Sequence, residues 1–168
     1  RGPPARLLRG LRGRKTVVLN PVFDSDTGVH EACGVVGLWN VSEAAQVAAL
    51  ALHALQHRGQ ESAGIAVCSE GQIKRYKGMG LVSQVFGRDE LAGLPGSAAV
   101  GHVRYSTAGG SRPANAQPLL GRTAGGEVAL AHNGNLSRGD ELVNFLLREG
   151  ALLQTSTDSE LMLHFLAR

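Results

Sequence analysis

The longest apolar run in this 168-residue chain, residues 47–52, lasts six residues before His53 interrupts it. That is far short of the roughly 18 to 20 residues that span a bilayer as a helix, so no membrane-crossing helix is expected. The other apolar runs are shorter still and are broken by glycine, of which the chain has 23, about twice the usual ~7% share. Short buried segments separated by many tight turns or close backbone approaches are what this pattern allows. With 43% hydrophobic and 18% charged residues, the chain is expected to fold as one globular domain with its own core.

The net charge of +3 is concentrated at one end. Residues 1–32 carry six basic and three acidic groups, and the remaining 136 carry eleven of each. A neutral body has no electrostatic footprint for nucleic acid or an anionic membrane, so neither is expected as a partner. Cys33 and Cys68 are the only cysteines. They are too few for a disulfide framework and lack zinc-site spacing, which makes a reducing cytoplasmic location the expectation. Residues 1–15 are Arg-rich and acid-free, as a transit peptide can be, but contain no Ser. Residues 1–32 show no sustained periodicity and read as a leader or propeptide, expected to be disordered. The absence of an initial Met, and an end at Arg168 inside a helical pattern, suggest a fragment whose domain runs from residue 33 past 168.

Residues 33–39 read as a buried strand. After Ser42 a helix follows, with Val47, Leu50, Ala51, Ala54 and Leu55 on its apolar face and Gly59 as its stop. Strands are expected at 63–68, 73–77, 98–105 and 127–132, with a glycine break at 78–80 and a long loop at 106–118. Ser137 with Asp140, and Thr157 with Glu160, have capping-box spacing for two further helices, the first stopped by Gly150. Antiparallel-looking strand pairs with flanking helices define an α+β protein.

Several residues admit both a bland and a chemical reading. Cys33, opening the first strand, is either an inert buried cysteine or a nucleophile. If the bond before it were cut, its own α-amine, of pKa roughly 7.7 to 8.0, could take the thiol proton. Arg58 and Gly59 suit a helix end, and Arg104 at a strand end suits a solvated rim charge. Asn133-Gly134 has the composition of a hairpin turn, and Asp158 in a first helical turn is favoured by the helix dipole. His53 and His57 lie one helical turn apart, but no third ligand accompanies them and no metal site is expected. Gly78-Met79-Gly80 lacks the third glycine of a dinucleotide loop, and Cys68 is expected in the core.

Six strings in order carry a resemblance: CGVVG (33–37), LQHRGQESAGI (55–65), KGMGLV (77–82), GHVRYSTAG (101–109), AHNGNL (131–136) and STDSE (156–160). Together they resemble the glutaminase half of the glutamine phosphoribosylpyrophosphate amidotransferases, a class II glutamine amidotransferase domain of the N-terminal nucleophile hydrolase superfamily. The resemblance implies a four-layer αββα fold, incomplete on its C-terminal side, with Cys33 as nucleophile facing the cleft. It implies an oxyanion hole made by the Asn133 side-chain amide and the Gly134 N–H. It places Arg58 and Gly59 in the glutamine pocket, Arg104 and Thr107 on the α-carboxylate and Asp158 on the α-ammonium. Glucosamine-6-phosphate synthase has a related glutaminase, but HRGQE at 57–61 and Tyr105 after Arg104 resemble the purine family more closely. Ser106 stands where the family is expected to hold Pro or Ala.

The implied function is glutamine hydrolysis that supplies ammonia to phosphoribosyl pyrophosphate, giving 5-phosphoribosylamine at the start of purine synthesis. Glutamine is then the substrate, and a phosphoribosyltransferase domain of the same chain, with Mg2+, is the partner. An iron–sulfur (4Fe-4S) cluster, found in a propeptide-bearing branch of the family, would have its ligands beyond Arg168, and a homo-oligomer is expected of the complete chain. Residues 33–168 themselves are expected to hold no cofactor. The rival expectations are a glutaminase serving another acceptor and a catalytically silent glutamine-binding regulatory domain.

Overall fold

The computed structural model describes residues 33–105 and 112–167. A four-stranded antiparallel sheet forms from β1 (Gly34–Leu38), β2 (Ser62–Ser69), β3 (Gln72–Met79) and β4 (Ala98–Arg104), in the order β1-β4-β2-β3. Its central strands carry two alternating sets of side chains, because successive residues of a strand point to opposite faces. Ala63, Ile65, Val67, Ala99 and Val103 face helix α1 (Ala44–Ala54) and form the main core with it. Ser62, Gly64, His102 and Arg104 occupy the other face, where the register sets Ser62 opposite Arg104 and Gly64 opposite His102.

Helix α1 begins after Glu43, which takes a left-handed conformation (φ 54°), and it receives no side-chain cap from Ser42. Its buried residues are Ala44, Ala45, Ala48, Ala49 and Leu52, whereas Leu50 is exposed. The stripe chosen from sequence is therefore rotated. Alanine and leucine occur on nearly every side of this helix, so periodicity alone does not select a face, and the small alanines let the helix axis approach the sheet closely. A 3-10 turn at Gln56–Arg58 separates the helix from Gly59, which is extended at φ −163° and is not a left-handed helix cap.

A second sheet is the hairpin of β5 (Leu119–Thr123) and β6 (Gly126–Leu130). The strand β5 escaped the sequence reading because Gly121 and Arg122 interrupt its apolar pattern. The two sheets are tied through β3: the Ile73 N–H donates to Glu127 (2.9 Å), Arg75 to the Pro118 carbonyl (3.1 Å), and the Lys77 ammonium to the carbonyls of Ala116 (2.6 Å) and Ala114 (3.2 Å). Burial, then the nearby Arg75, pushes the Lys77 pKa down to about 8.

Helices α4 (Gly139–Arg148) and α5 (Asp158–Leu166) lie beyond the hairpin, with Leu163 of α5 against Gly121 and the rings of Phe145 and Phe165 stacked at 6.1 Å. The layers thus run α1, first sheet, second sheet, α4 with α5, the αββα order. Two short helices, α2 (Val82–Val85) and α3 (Arg88–Ala92), bridge β3 to β4. At four and five residues they are too short for a periodic signal.

Neither expected capping box forms. Arg138, in a left-handed conformation, precedes α4, and at α5 the Glu160 carboxylate accepts from the N–H groups of Gln154 and Thr155 (both 2.7 Å). Gly150, at φ 83°, does follow the end of α4, and its N–H donates to the Leu147 carbonyl. Cys68 is exposed and not in the core. It points to the second face of the sheet, beside a shallow apolar groove lined by Leu38, Ala66, Ile73 and Ala98.

Candidate active site

The antiparallel pairings bring the start of β1, the end of β4 and the start of β2 to one end of the first sheet. Cys33 immediately precedes β1, and the antiparallel pairing of Gly34 with Val103 sets it beside the end of β4. There the Tyr105 N–H donates to the Cys33 Sγ (3.4 Å), and the thiol donates to the Tyr105 carbonyl (3.5 Å). Cys33 is half-buried there.

Two further donors converge on Cys33. The Arg58 Nε reaches the Cys33 carbonyl at 3.4 Å, and the Asn133 side-chain amide, a hundred residues away in sequence, donates to the same oxygen. Asn133 and Gly134 follow β6 in a segment that leads to α4, not to a strand, so the hairpin-turn reading is overturned. Both are exposed, and Gly134 has φ 143°, a conformation that side-chain-bearing residues rarely adopt.

Gly59 has its own reason to be glycine. A Cβ there would lie 2.7 Å from the Arg104 carbonyl carbon and 2.8 Å from Val103 main-chain atoms, so the 3-10 turn carrying Arg58 rests directly on the backbone of β4. Arg104 itself is buried, which rules out the solvated rim charge. Its Nε pairs with Glu61 at 3.2 Å, and Nη1 lies 3.5 Å from the Asn115 carbonyl. Asn115 in turn exchanges hydrogen bonds with Ser156: its amide donates to the hydroxyl (3.0 Å) and its oxygen accepts the Ser156 N–H (3.1 Å). This link anchors the segment before α5 to the region of Arg104.

Asp158 opens α5, and its Oδ2 accepts the Leu136 N–H at 2.6 Å. The helix start and the Asn133-Gly134 segment are joined by that bond. Thr107 falls outside the described residues. The sequence reading missed Glu61, Asn115 and the Tyr105 main chain. Glu61 lies within the LQHRGQESAGI string, but nothing in its local pattern reveals a partner 43 residues away.

Behind Arg104, on the same face of β4, His102 is fully buried and neither ring nitrogen has a hydrogen-bond partner. Burial is the main cause that lowers its pKa to about 4; the His132 main chain next favours the protonated ring, and the charges of Arg104 and His132 oppose it. Among the described residues no group of three His, Cys, Asp or Glu side chains could hold a metal ion, and no helix is long and apolar enough to cross a membrane.

A cysteine that immediately precedes an edge strand of an αββα sandwich, its carbonyl held by the Asn133 amide and its thiol by the Tyr105 main chain, fits a known class, and residues 90–168 match the family of class-II glutamine amidotransferases. An amidophosphoribosyltransferase of Lacticaseibacillus casei is 48% identical over 142 residues, covering 84% of this chain and 73% of that protein. The chloroplastic amidophosphoribosyltransferase 3 of Arabidopsis thaliana is 45% identical, over 89% of this chain and 30% of its own length. A solved structure described as the allosteric regulatory enzyme of purine biosynthesis superposes with a TM-score of 0.76 at 46% identity, over 80% of this chain and 29% of that one. The chain belongs to the amidophosphoribosyltransferase family and carries its class II glutamine amidotransferase domain. It spans about 30% of the length of the Arabidopsis relative.

Proposed function

We propose that this domain hydrolyses glutamine through Cys33 and supplies the ammonia for conversion of phosphoribosyl pyrophosphate to 5-phosphoribosylamine in purine synthesis. The observation that carries the reading is the convergence of Asn133 and Arg58 on the main-chain carbonyl of Cys33. Cleavage of the Ala32–Cys33 bond frees the α-amine, which takes the thiol proton, and the thiolate attacks the δ-carbonyl of glutamine. The developing oxyanion is held by the Asn133 amide and the Gly134 N–H. Collapse of the tetrahedral adduct breaks the C–N bond, the protonated amine returns its proton to the leaving nitrogen, and ammonia departs. Water then hydrolyses the glutamyl thioester to glutamate and restores the thiol.

Recognition of a free amino acid requires one group of each sign. Arg104 meets the α-carboxylate with two parallel N–H bonds, supplemented by Thr107, and Asp158 accepts the α-ammonium with the carboxylate oxygen that Leu136 does not use. Arg58 and Gly59 close the pocket beside Cys33. The phosphoribosyl chemistry, with its Mg2+, and any iron–sulfur cluster belong to a partner domain outside these residues, as does homo-oligomer assembly. A reducing compartment such as the cytoplasm keeps the thiol available.

The test is covalent. A glutamine analogue bearing a diazoketone should add stoichiometrically to Cys33 of the mature protein, with Cys33 found by mass spectrometry as the N-terminal residue. Cys33→Ala should abolish both labelling and glutaminase activity while leaving ammonia-dependent synthesis intact. An active protein with an intact Ala32–Cys33 bond would refute the mechanism.

A further inference from the structure

One charged side chain beside Arg104 has no part in this scheme. Glu61 pairs with Arg104 at 3.2 Å, and both side chains are nearly buried, at 13% and 11% exposure. This is not a surface ion pair of negligible worth, because neither side chain can exchange its partner freely for water. The main chain reinforces it: the Glu61 N–H donates to the Arg104 carbonyl (3.0 Å), and the Glu61 carbonyl accepts from Gly80 (2.8 Å). Glu61 is therefore fixed in place on both sides before its carboxylate acts on anything.

A guanidinium has five N–H donors on a rigid plane, with one edge at Nε and an outer edge between the two terminal nitrogens. Glu61 takes the Nε. The remaining contact, Nη1 to the Asn115 carbonyl, is long at 3.5 Å and uses only one of that nitrogen's two hydrogens. The outer edge is the one that fits a carboxylate with two parallel bonds. Holding Nε selects one orientation of a long side chain that otherwise has many rotamers, and compensates its charge before substrate arrives.

We propose that Glu61 is a positioning residue that grips Arg104 by its Nε and turns the outer guanidinium edge toward the α-carboxylate of the amino-acid substrate. The inference rests on the reading of Arg104 as the carboxylate anchor. In the full-length protein, Glu61→Ala should raise KM for glutamine roughly tenfold or more, the scale of a lost charge-assisted hydrogen bond, and change kcat less. Glu61→Gln, which keeps an acceptor and loses the charge, should raise KM only about threefold. Alkylation of Cys33 by the diazoketone analogue should slow in proportion to KM, whereas alkylation by iodoacetamide, which has no α-carboxylate, should be unchanged.

Arg104→Ala is the control on the underlying reading: if it leaves KM unchanged, Arg104 is not the anchor and the glutamine assignment at this position fails. If Arg104→Ala raises KM and Glu61→Ala does not, the positioning role alone is overturned. Equal slowing of both alkylations in Glu61→Ala also overturns it, since that marks general damage to the cleft. Should Glu61→Ala not accumulate as folded protein, Glu61→Gln decides: a raised KM with unchanged iodoacetamide reactivity supports the proposal, and an unchanged KM overturns it.

Discussion

The two faces of the first sheet are built from alternate residues of the same strands, yet they solve different problems. The face toward α1 is apolar: Ile65, Val67 and Val103 pack with Ala48 and Leu52 in one hydrophobic cluster. The opposite face carries Ser62, Gly64, His102 and Arg104, all withdrawn from solvent. Its order comes from distant partners, Glu61 for Arg104 and the Gln117 main chain against Gly64. The first face rests on volume and apolar area, which many sequences can supply, and the second on positions held from several parts of the chain.

The largest effects expected from single methyl groups separate the faces at once. A Cβ on Gly64 would run into the Gln117 carbonyl, far inside van der Waals contact, and would lie 2.9 Å from the Lys77 Cβ. The neighbour is backbone, so Gly64→Ala should cost about 4 kcal/mol or more, or prevent folding. On the α1 face, a Cβ on Gly101 meets the end of the Leu52 side chain at 2.9 Å. That side chain can rotate, and Gly101→Ala should cost about 1 to 3 kcal/mol. Denaturant unfolding of the two variants measures both, and equal losses would break the contrast.

Next in size is a crossed pair of substitutions. Leu52→Ala removes a fully buried side chain and should cost about 2 to 5 kcal/mol of stability without altering KM for glutamine. Asn133→Ala, at an exposed residue, should leave the unfolding midpoint nearly unchanged and lower kcat about 10²- to 10³-fold. Steady-state kinetics and thermal unfolding on both variants test the division; a large kcat loss in Leu52→Ala would show that the two faces are coupled.

The same division decided what could be read before the fold was seen. Strands β1, β2, β3, β4 and β6 announce themselves as short apolar runs between turn residues, and Cys33, Asn133 and Asp158 stand at element ends where local pattern draws attention to them. The phase of α1 was illegible because an alanine-rich helix offers the sheet more than one acceptable side. Strand β5 and the helices α2 and α3 were missed for want of a periodic run. In the site, Cys33, Arg58, Arg104, Asn133 and Asp158 could be singled out as candidates from the sequence, whereas Glu61, Asn115 and the pairings could not. Glu61 with Arg104, Asn115 with Ser156 and Leu136 with Asp158 are contacts between segments that only the packed layers bring together.

A last expected effect, present only at low pH, concerns His102, the residue of the polar face with no hydrogen-bond partner on its ring. Its folded-state pKa is lowered to about 4, below the ordinary 6.5, chiefly by burial. Between those values the unfolded chain binds the proton and the folded chain does not, so protonation draws the equilibrium toward unfolding as the pH falls. The contribution is complete above pH 6.5 and is lost progressively toward pH 4, reaching about 2 kcal/mol of lost stability by pH 5. Urea unfolding at pH 7 and pH 5 should show that difference in the wild type and a smaller one in His102→Gln, which cannot take up the proton. An identical pH dependence in both proteins would mean that His102 is not the source of the acid sensitivity.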